Sequence, residues 1–152
     1  MTRRDFLLPV ISVVALRKVA NAQTKPCPAL EPNVSDAKFK PGEIWAYETR
    51  PGESASTVTI LQVDRLGKPG VIIHVRVDGL HMHNPAGDLV PYIEHMPFTR
   101  DAMLISVTRL IRTEAPLPTL EGYDAWRAAC GGVYTISVAD AVTVAEKTLN
   151  SR

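Results

Sequence analysis

Between residues 44 and 94 apolar and polar side chains tend to alternate, whereas beyond Thr99 the apolar positions recur three and four apart. The first period is that of a strand and the second that of a helix. Residues 44–50 send Trp45, Tyr47 and Thr49 to one face and Glu48 and Arg50 to the other. Pro51-Gly52-Glu53-Ser54 then reads as a turn. Residues 56–66 are rich in β-branched side chains and predict a second strand. After the turn Gly67-Lys68-Pro69-Gly70, residues 71–78 alternate most cleanly, with Val71, Ile73, Val75 and Val77 opposite Ile72, His74, Arg76 and Asp78. Residues 80–83 extend this strand past a bend at Gly79. Residues 89–94 return as a shorter fourth strand, in which Pro91 favours an edge. Short turns between these strands predict an antiparallel meander.

The second half reads as helical. Thr99 is a good N-cap, and Phe98 with Met103 sits at the staple positions. Met103, Val107, Leu110 and Ile111 predict one helical face, ended by Pro116 and Pro118. A short helix follows from Gly122, with Tyr123, Trp126 and Cys130 spaced three and four apart and Gly131-Gly132 as its stop. Residues 133–136 read as extended. Ser137 with Asp140 is a cap for a last helix striped by Val138, Val142, Ala145 and Leu149. Strands first and helices later predict an α+β fold: a three- to four-stranded antiparallel meander followed by about three helices packed on one face.

The N-terminus has a different character. Arg3 and Arg4 precede an apolar run of eleven residues, and Ala20-Asn21-Ala22 fits the small-residue pattern at which leader peptides are cut. The run is too short to span a bilayer, which takes about 20 apolar residues. The expected division is a signal peptide over residues 1–22, a proline-rich arm over 23–38, broken by Pro26, Pro28 and Pro32, and one domain over 39–150. The segment Thr2-Arg3-Arg4-Asp5-Phe6-Leu7 resembles the twin-arginine export motif, with Leu8 where that motif often has Lys. Either export route implies a periplasmic or secreted bacterial protein that does not span the membrane after processing.

This division alters the charge balance. The 152-residue chain carries 17 Lys+Arg and 16 Asp+Glu, a net charge of +1. Arg3, Arg4, Arg17, Lys18 and Asp5 leave with the leader, which makes the remainder −2. A mildly acidic domain with 6% aromatic residues argues against a nucleic-acid partner. Export also places Cys27 and Cys130 in an oxidising compartment, where two readings stay open: a disulfide that clamps the arm to the short helix, or two free thiols.

All four histidines fall between residues 74 and 95. His81 and His83 are two apart, so on a strand both point from one face. With His95 or Glu94 they are candidates for one divalent transition metal, as in metal-assisted hydrolysis, although His-x-His is a weak motif and no cofactor is the primary expectation. His74, Arg76 and Asp78 share a polar sheet face and are binding candidates, as are Trp45 and Tyr47 if they reach a sheet edge. There is no Gly-x-Ser-x-Gly elbow and no phosphate-binding loop.

The blocks Pro41-Gly42-Glu43-Ile44-Trp45-Ala46-Tyr47-Glu48-Thr49-Arg50, Ile73-His74-Val75-Arg76-Val77-Asp78-Gly79-Leu80, His95-Met96-Pro97-Phe98 and Gly122-Tyr123-Asp124-Ala125-Trp126-Arg127 together resemble a family of small uncharacterised bacterial exported proteins. The resemblance implies one compact domain over about residues 41–149 and no particular chemistry. The expected function is binding of a protein partner or small ligand without catalysis, with the metal-dependent reading as the alternative.

Overall fold

Ile73, Val75 and Val77 lie fully buried along β4 (Gly70–His83), as their alternation requires. The structure, a computed structural model, describes residues 25–152. The leader expected over residues 1–22, and with it the twin-arginine-like motif, lies outside the described residues. β4 sits between β3 (Thr57–Leu66) and β5 (Leu89–Thr99), and β3 is flanked by β2 (Ile44–Tyr47), which is the expected meander. Two further strands complete a six-stranded antiparallel sheet: β1 (Leu30–Glu31) pairs with β3, and β6 (Val107–Arg112) with β2. The order is β5-β4-β3-β2-β6, with β1 beside β3.

β6 departs from the expected helix. The helix α1 (Arg100–Ser106) starts at Thr99, whose side chain accepts from the Ala102 amide, but it stops at Ser106. The Ser106 hydroxyl donates to the Ala102 carbonyl at 2.7 Å and accepts from the Val138 amide at 3.0 Å. Val107 is extended, and the chain runs on against β2. The β-branched residues Val107, Thr108 and Ile111 suit a strand, and the edge of β2 offers an unpaired hydrogen-bond ladder. Those two effects outweigh an apolar spacing that also fits a helix.

The helices divide between the two faces of the sheet. On one face, α1 and α3 (Val138–Asn150) bury Ala102, Met103, Val138, Ala141 and Val142 against Val58, Ile60, Ile73, Val75 and Phe98. Each large apolar side chain removed from water there contributes ~1.5–3 kcal/mol relative to exposure. On the other face, α2 (Glu121–Ala128) lies over β3, β4 and β5, with Tyr123 buried. β3 is consequently buried along most of its length on both faces. The arm is not loose: β1 pairs with the end of β3, the Val34 amide donates to the Val63 carbonyl at 2.9 Å, and Cys27 is disulfide-bonded to Cys130 just beyond α2. No helix among the described residues is long and apolar enough to cross a membrane.

β4 continues through Gly79, where φ is +75° and an added Cβ would stand 3.0 Å from the Ser56 Cα. Only glycine meets both demands, a left-handed backbone and a close neighbouring chain. Beyond this point Met82 pairs with Val90 and His83 with Leu89.

Candidate functional site

The apolar run of β3 contains two polar residues two apart, Gln62 and Asp64, which therefore share a face. Opposite them on β4 stands His74, paired in register with Gln62 on one side and Pro97 of β5 on the other. His95 projects from β5 beside His74. α2 closes over all of these side chains, because Gly122 brings its first turn against β5; a Cβ there would lie 2.7 Å from the His95 Cβ. Tyr123 and Trp126, one helical turn apart on α2, both reach the His74 ring.

These residues form one hydrogen-bonded assembly. Asp64 is fully buried, and its Oδ1 accepts from the Asn33 amide at 2.9 Å and Gln62 Nε2 at 2.8 Å. Its Oδ2 accepts from the Tyr123 hydroxyl at 2.7 Å. That hydroxyl accepts in turn from Gln62 Nε2 at 2.8 Å. His74, also fully buried, places Nε2 3.3 Å from Asp64 Oδ2 without an aligned hydrogen bond. Its Nδ1 is 2.9 Å from His95 Nε2, with the two imidazoles 19° from parallel. Tyr123 meets the His74 ring edge-on at 4.8 Å, and Trp126 meets it at 4.7 Å.

Burial and partners set the charge states. Burial by itself would raise the Asp64 carboxyl, but the adjacent His74 ring and the donors Tyr123, Gln62 and the Asn33 amide hold it down to about 2. Tyr123 is pushed up to about 12, first by burial and then by its hydrogen bond to Asp64 and the charge there. His95 is lowered to about 4, first by burial and then by the neighbouring His74. At neutral pH the pocket therefore holds an ionised carboxylate, a neutral phenol and a neutral His95.

His95 opens onto a cleft of about 440 Å³ lined also by Pro97, Trp126, Gly132, Val133 and Tyr134. Cavities of this size accept small organic ligands. The far wall is the extended segment around Tyr134, whose amide donates to the Pro97 carbonyl and whose carbonyl accepts from the Thr99 amide, each at 2.9 Å. The indole Nε1 of Trp126 donates to the Gly132 carbonyl at 2.8 Å, which fixes the ring as a wall between this cleft and a second hollow beside the disulfide. None of the lining side chains carries a formal charge at neutral pH.

The other sequence candidates are placed differently. Trp45 and Tyr47 are not at an accessible edge: both are buried, with Trp45 donating to Glu43 Oε2 at 3.0 Å and packing edge-on against Phe39, and the Tyr47 hydroxyl 2.7 Å from Ser56 Oγ. Their side chains face the main core, which wins over solvent because of their apolar area. Arg76 and Asp78 share the face of His74, but Arg76 donates to Asp78 at 3.0 Å and lies over the Tyr92 ring at 4.0 Å, away from the imidazoles. His81 and His83 do project from one face, yet neither approaches His95 or Glu94. They pair near the far end of β4, several residues along the ladder, which at ~3.3 Å per residue separates them from His95 by well over a ligand sphere. Their backbone amides are the engaged groups, bonded to Glu53 and Glu146. Among the described residues no group of three or more His, Cys, Asp or Glu side chains is arranged to hold a metal ion.

The sequence pattern puts His74 and His95 in separate candidate groups and does not single out Gln62, Asp64 and Tyr123 as their partners. The signal that marks two of them is the pair of polar residues, Gln62 and Asp64, at strand period inside an otherwise apolar run. No family model matches the chain, and no curated protein or solved structure matches it either.

Proposed function

We propose that the protein is a small exported domain that binds a neutral, planar organic ligand in the cleft between β5, α2 and the Tyr134 segment. The observation that carries this reading is His95: a neutral imidazole, oriented from behind by His74, at the mouth of a cleft walled by Trp126, Pro97 and Tyr134. A few oriented polar groups among aromatic walls are what small-molecule sites use for orientation and affinity. The uncharged lining favours a ligand that enters neutral, since an ion arriving from water would lose its hydration without a counter-charge among the lining groups.

The exported reading is supported by the leader pattern of residues 1–22 and by a disulfide that links positions 103 residues apart. Such bridges persist in oxidising compartments. Intact mass of protein recovered from the native cell envelope should correspond to a chain starting at Gln23 with the bridge closed. Cytosolic protein starting at Met1 with two reduced thiols would contradict it.

The binding reading is tested by NMR titration of isotopically labelled protein with a panel of small neutral aromatics, phenols among them. Chemical-shift changes are expected at Trp126, His95 and Tyr134, and to disappear in Trp126→Ala. A panel that shifts none of these residues overturns the proposal.

A further inference from the structure

The two ring nitrogens of His95 have unlike surroundings. Nε2 faces His74 Nδ1 at 2.9 Å, whereas Nδ1 makes no hydrogen bond among the described residues and is not among the buried, unpartnered atoms. Among the described residues, His74 Nε2 is the buried side-chain polar atom that lacks an aligned partner, and it lies 3.3 Å from the Asp64 carboxylate. An imidazole pair with a carboxylate behind it and a free nitrogen in front of it has the layout of a proton-conducting chain.

We propose that Asp64, His74 and His95 form a proton relay through which His95 Nδ1 takes the hydroxyl proton of a phenol or enol seated in the cleft. This rests on the ligand-binding reading above. Before transfer, His74 carries its proton on Nε2, toward Asp64, and accepts at Nδ1 from the N–H of His95 Nε2. As the ligand O–H bond breaks, its electron pair stays on oxygen and the proton bonds to His95 Nδ1. The N–H bond of His95 Nε2 breaks in the same event, and that proton bonds to His74 Nδ1. The products are a ligand anion, a neutral His95 with its tautomer exchanged, and a His74 cation beside Asp64. Total charge is conserved and no other reactant is needed.

The geometry explains why the charge settles on His74. A cation there stands next to an ionised carboxylate in a water-poor interior, where attraction is several-fold stronger than in water. Asp64 stays ionised because Tyr123, Gln62 and the Asn33 amide all donate to it. The titratable and charged groups on the surrounding elements are Asp64 and Arg65 on β3, Arg76 and Asp78 on β4, Glu94 beside His95 on β5, Glu121, Tyr123, Asp124 and Arg127 on α2, and Tyr134 across the cleft; of these, Asp64 and Tyr123 contact the imidazole pair. His95 takes the ligand proton directly, and His74 and Asp64 position its ring and receive the charge.

The test uses nitrophenols, which are colourless when neutral and yellow when ionised. At about pH 7, above the ordinary histidine value, a mononitrophenol that is largely neutral when free at that pH is titrated into the protein. The bound phenol is expected to ionise at least about tenfold more than the free phenol, a factor of one pKa unit. Asp64→Asn should remove that gain while Trp126 shifts still report binding. In the wild type, nitrogen NMR of the two imidazoles should show both nitrogens of His74 protonated in the complex and one of His95, a readout that needs no variant to fold. A phenol that binds at the cleft but stays neutral, or a His95 protonated on both nitrogens, overturns the relay and leaves the binding reading standing. Absence of any phenol-induced shift at Trp126 and His95 overturns the relay outright, and the aromatic panel then decides the binding reading separately.

Discussion

Nδ1 of His74 lies 2.9 Å from Nε2 of His95, a contact that joins β4 to β5 beneath α2. One ring must donate and the other accept, so the protonation of each depends on the other. That coupling, together with the carboxylate behind it, makes the site sensitive to pH and to small changes in its cover.

Stability should fall as pH drops from about 6.5 toward 4. The folded value of His95 lies below its ordinary value of 6.5, at about 4. Between those two pH values the unfolded chain binds a proton that the folded chain resists, so acid favours unfolding. The slope from one such group is at most about 1.4 kcal/mol per pH unit. Urea midpoints measured across this range should decline in the wild type and decline less in His95→Gln. Parallel curves for the two proteins would contradict the assignment.

A second loss is expected at lower pH, from Asp64. Its folded value of about 2 is below its ordinary 3.8, so the stability it contributes is present above 3.8 and lost as pH falls through 2. Tyr123→Phe removes one of the donors that hold it down and leaves Gln62 without its acceptor there. The variant should lose ~1–3 kcal/mol at neutral pH, the cost of unmade buried hydrogen bonds. Its acid-unfolding midpoint should also move to higher pH. An unchanged acid midpoint would show that the phenol does not support the carboxylate.

Gly122→Ala tests the close approach of α2. Its Cβ would meet the His95 Cβ at 2.7 Å, so the helix or the imidazole must move. Overpacking of this kind costs ~1–3 kcal/mol. Tryptophan fluorescence should shift as Trp126 gains water. Gly67→Ala, with nothing within 4 Å of the added atom, is the control and should do neither.

Opening the disulfide should loosen the cover of the site before it unfolds the sheet. The bridge closes a separation of 103 residues, for which chain entropy gives an upper contribution of about 4.7 kcal/mol. Cys27→Ser with Cys130→Ser is expected to lower the urea midpoint. It should also speed hydrogen exchange at α2 and around Asn33 more than in β3 and β4. Uniform acceleration across the sheet would mean that arm and α2 are not a separable unit.

Much of the fold follows from residue pattern. Alternation over β4 and the β-branched run of β3 place the meander, Pro91 marks β5 as an edge, and Thr99 and Ser137 do cap α1 and α3. The pattern fails at β6, where Val107, Leu110 and Ile111 fit helical spacing but lie in a strand that pairs with β2. It fails there because helix and strand periods are indistinguishable over a few residues, and the open edge of β2 is a property of the assembled sheet.

The sequence by itself determines that His74 shares a face with Arg76 and Asp78, that Gln62 shares one with Asp64, and that Tyr123 and Trp126 are neighbours on a helix. Those facts follow from backbone periods of two and of about 3.6. Only the tertiary structure decides that α2 crosses to the face opposite α1 and α3. That placement seals His74 and Asp64 away from water while leaving His95 at a cleft. Desolvation and proton sharing depend on distances across strands and through a helix–sheet contact, and no local period encodes them.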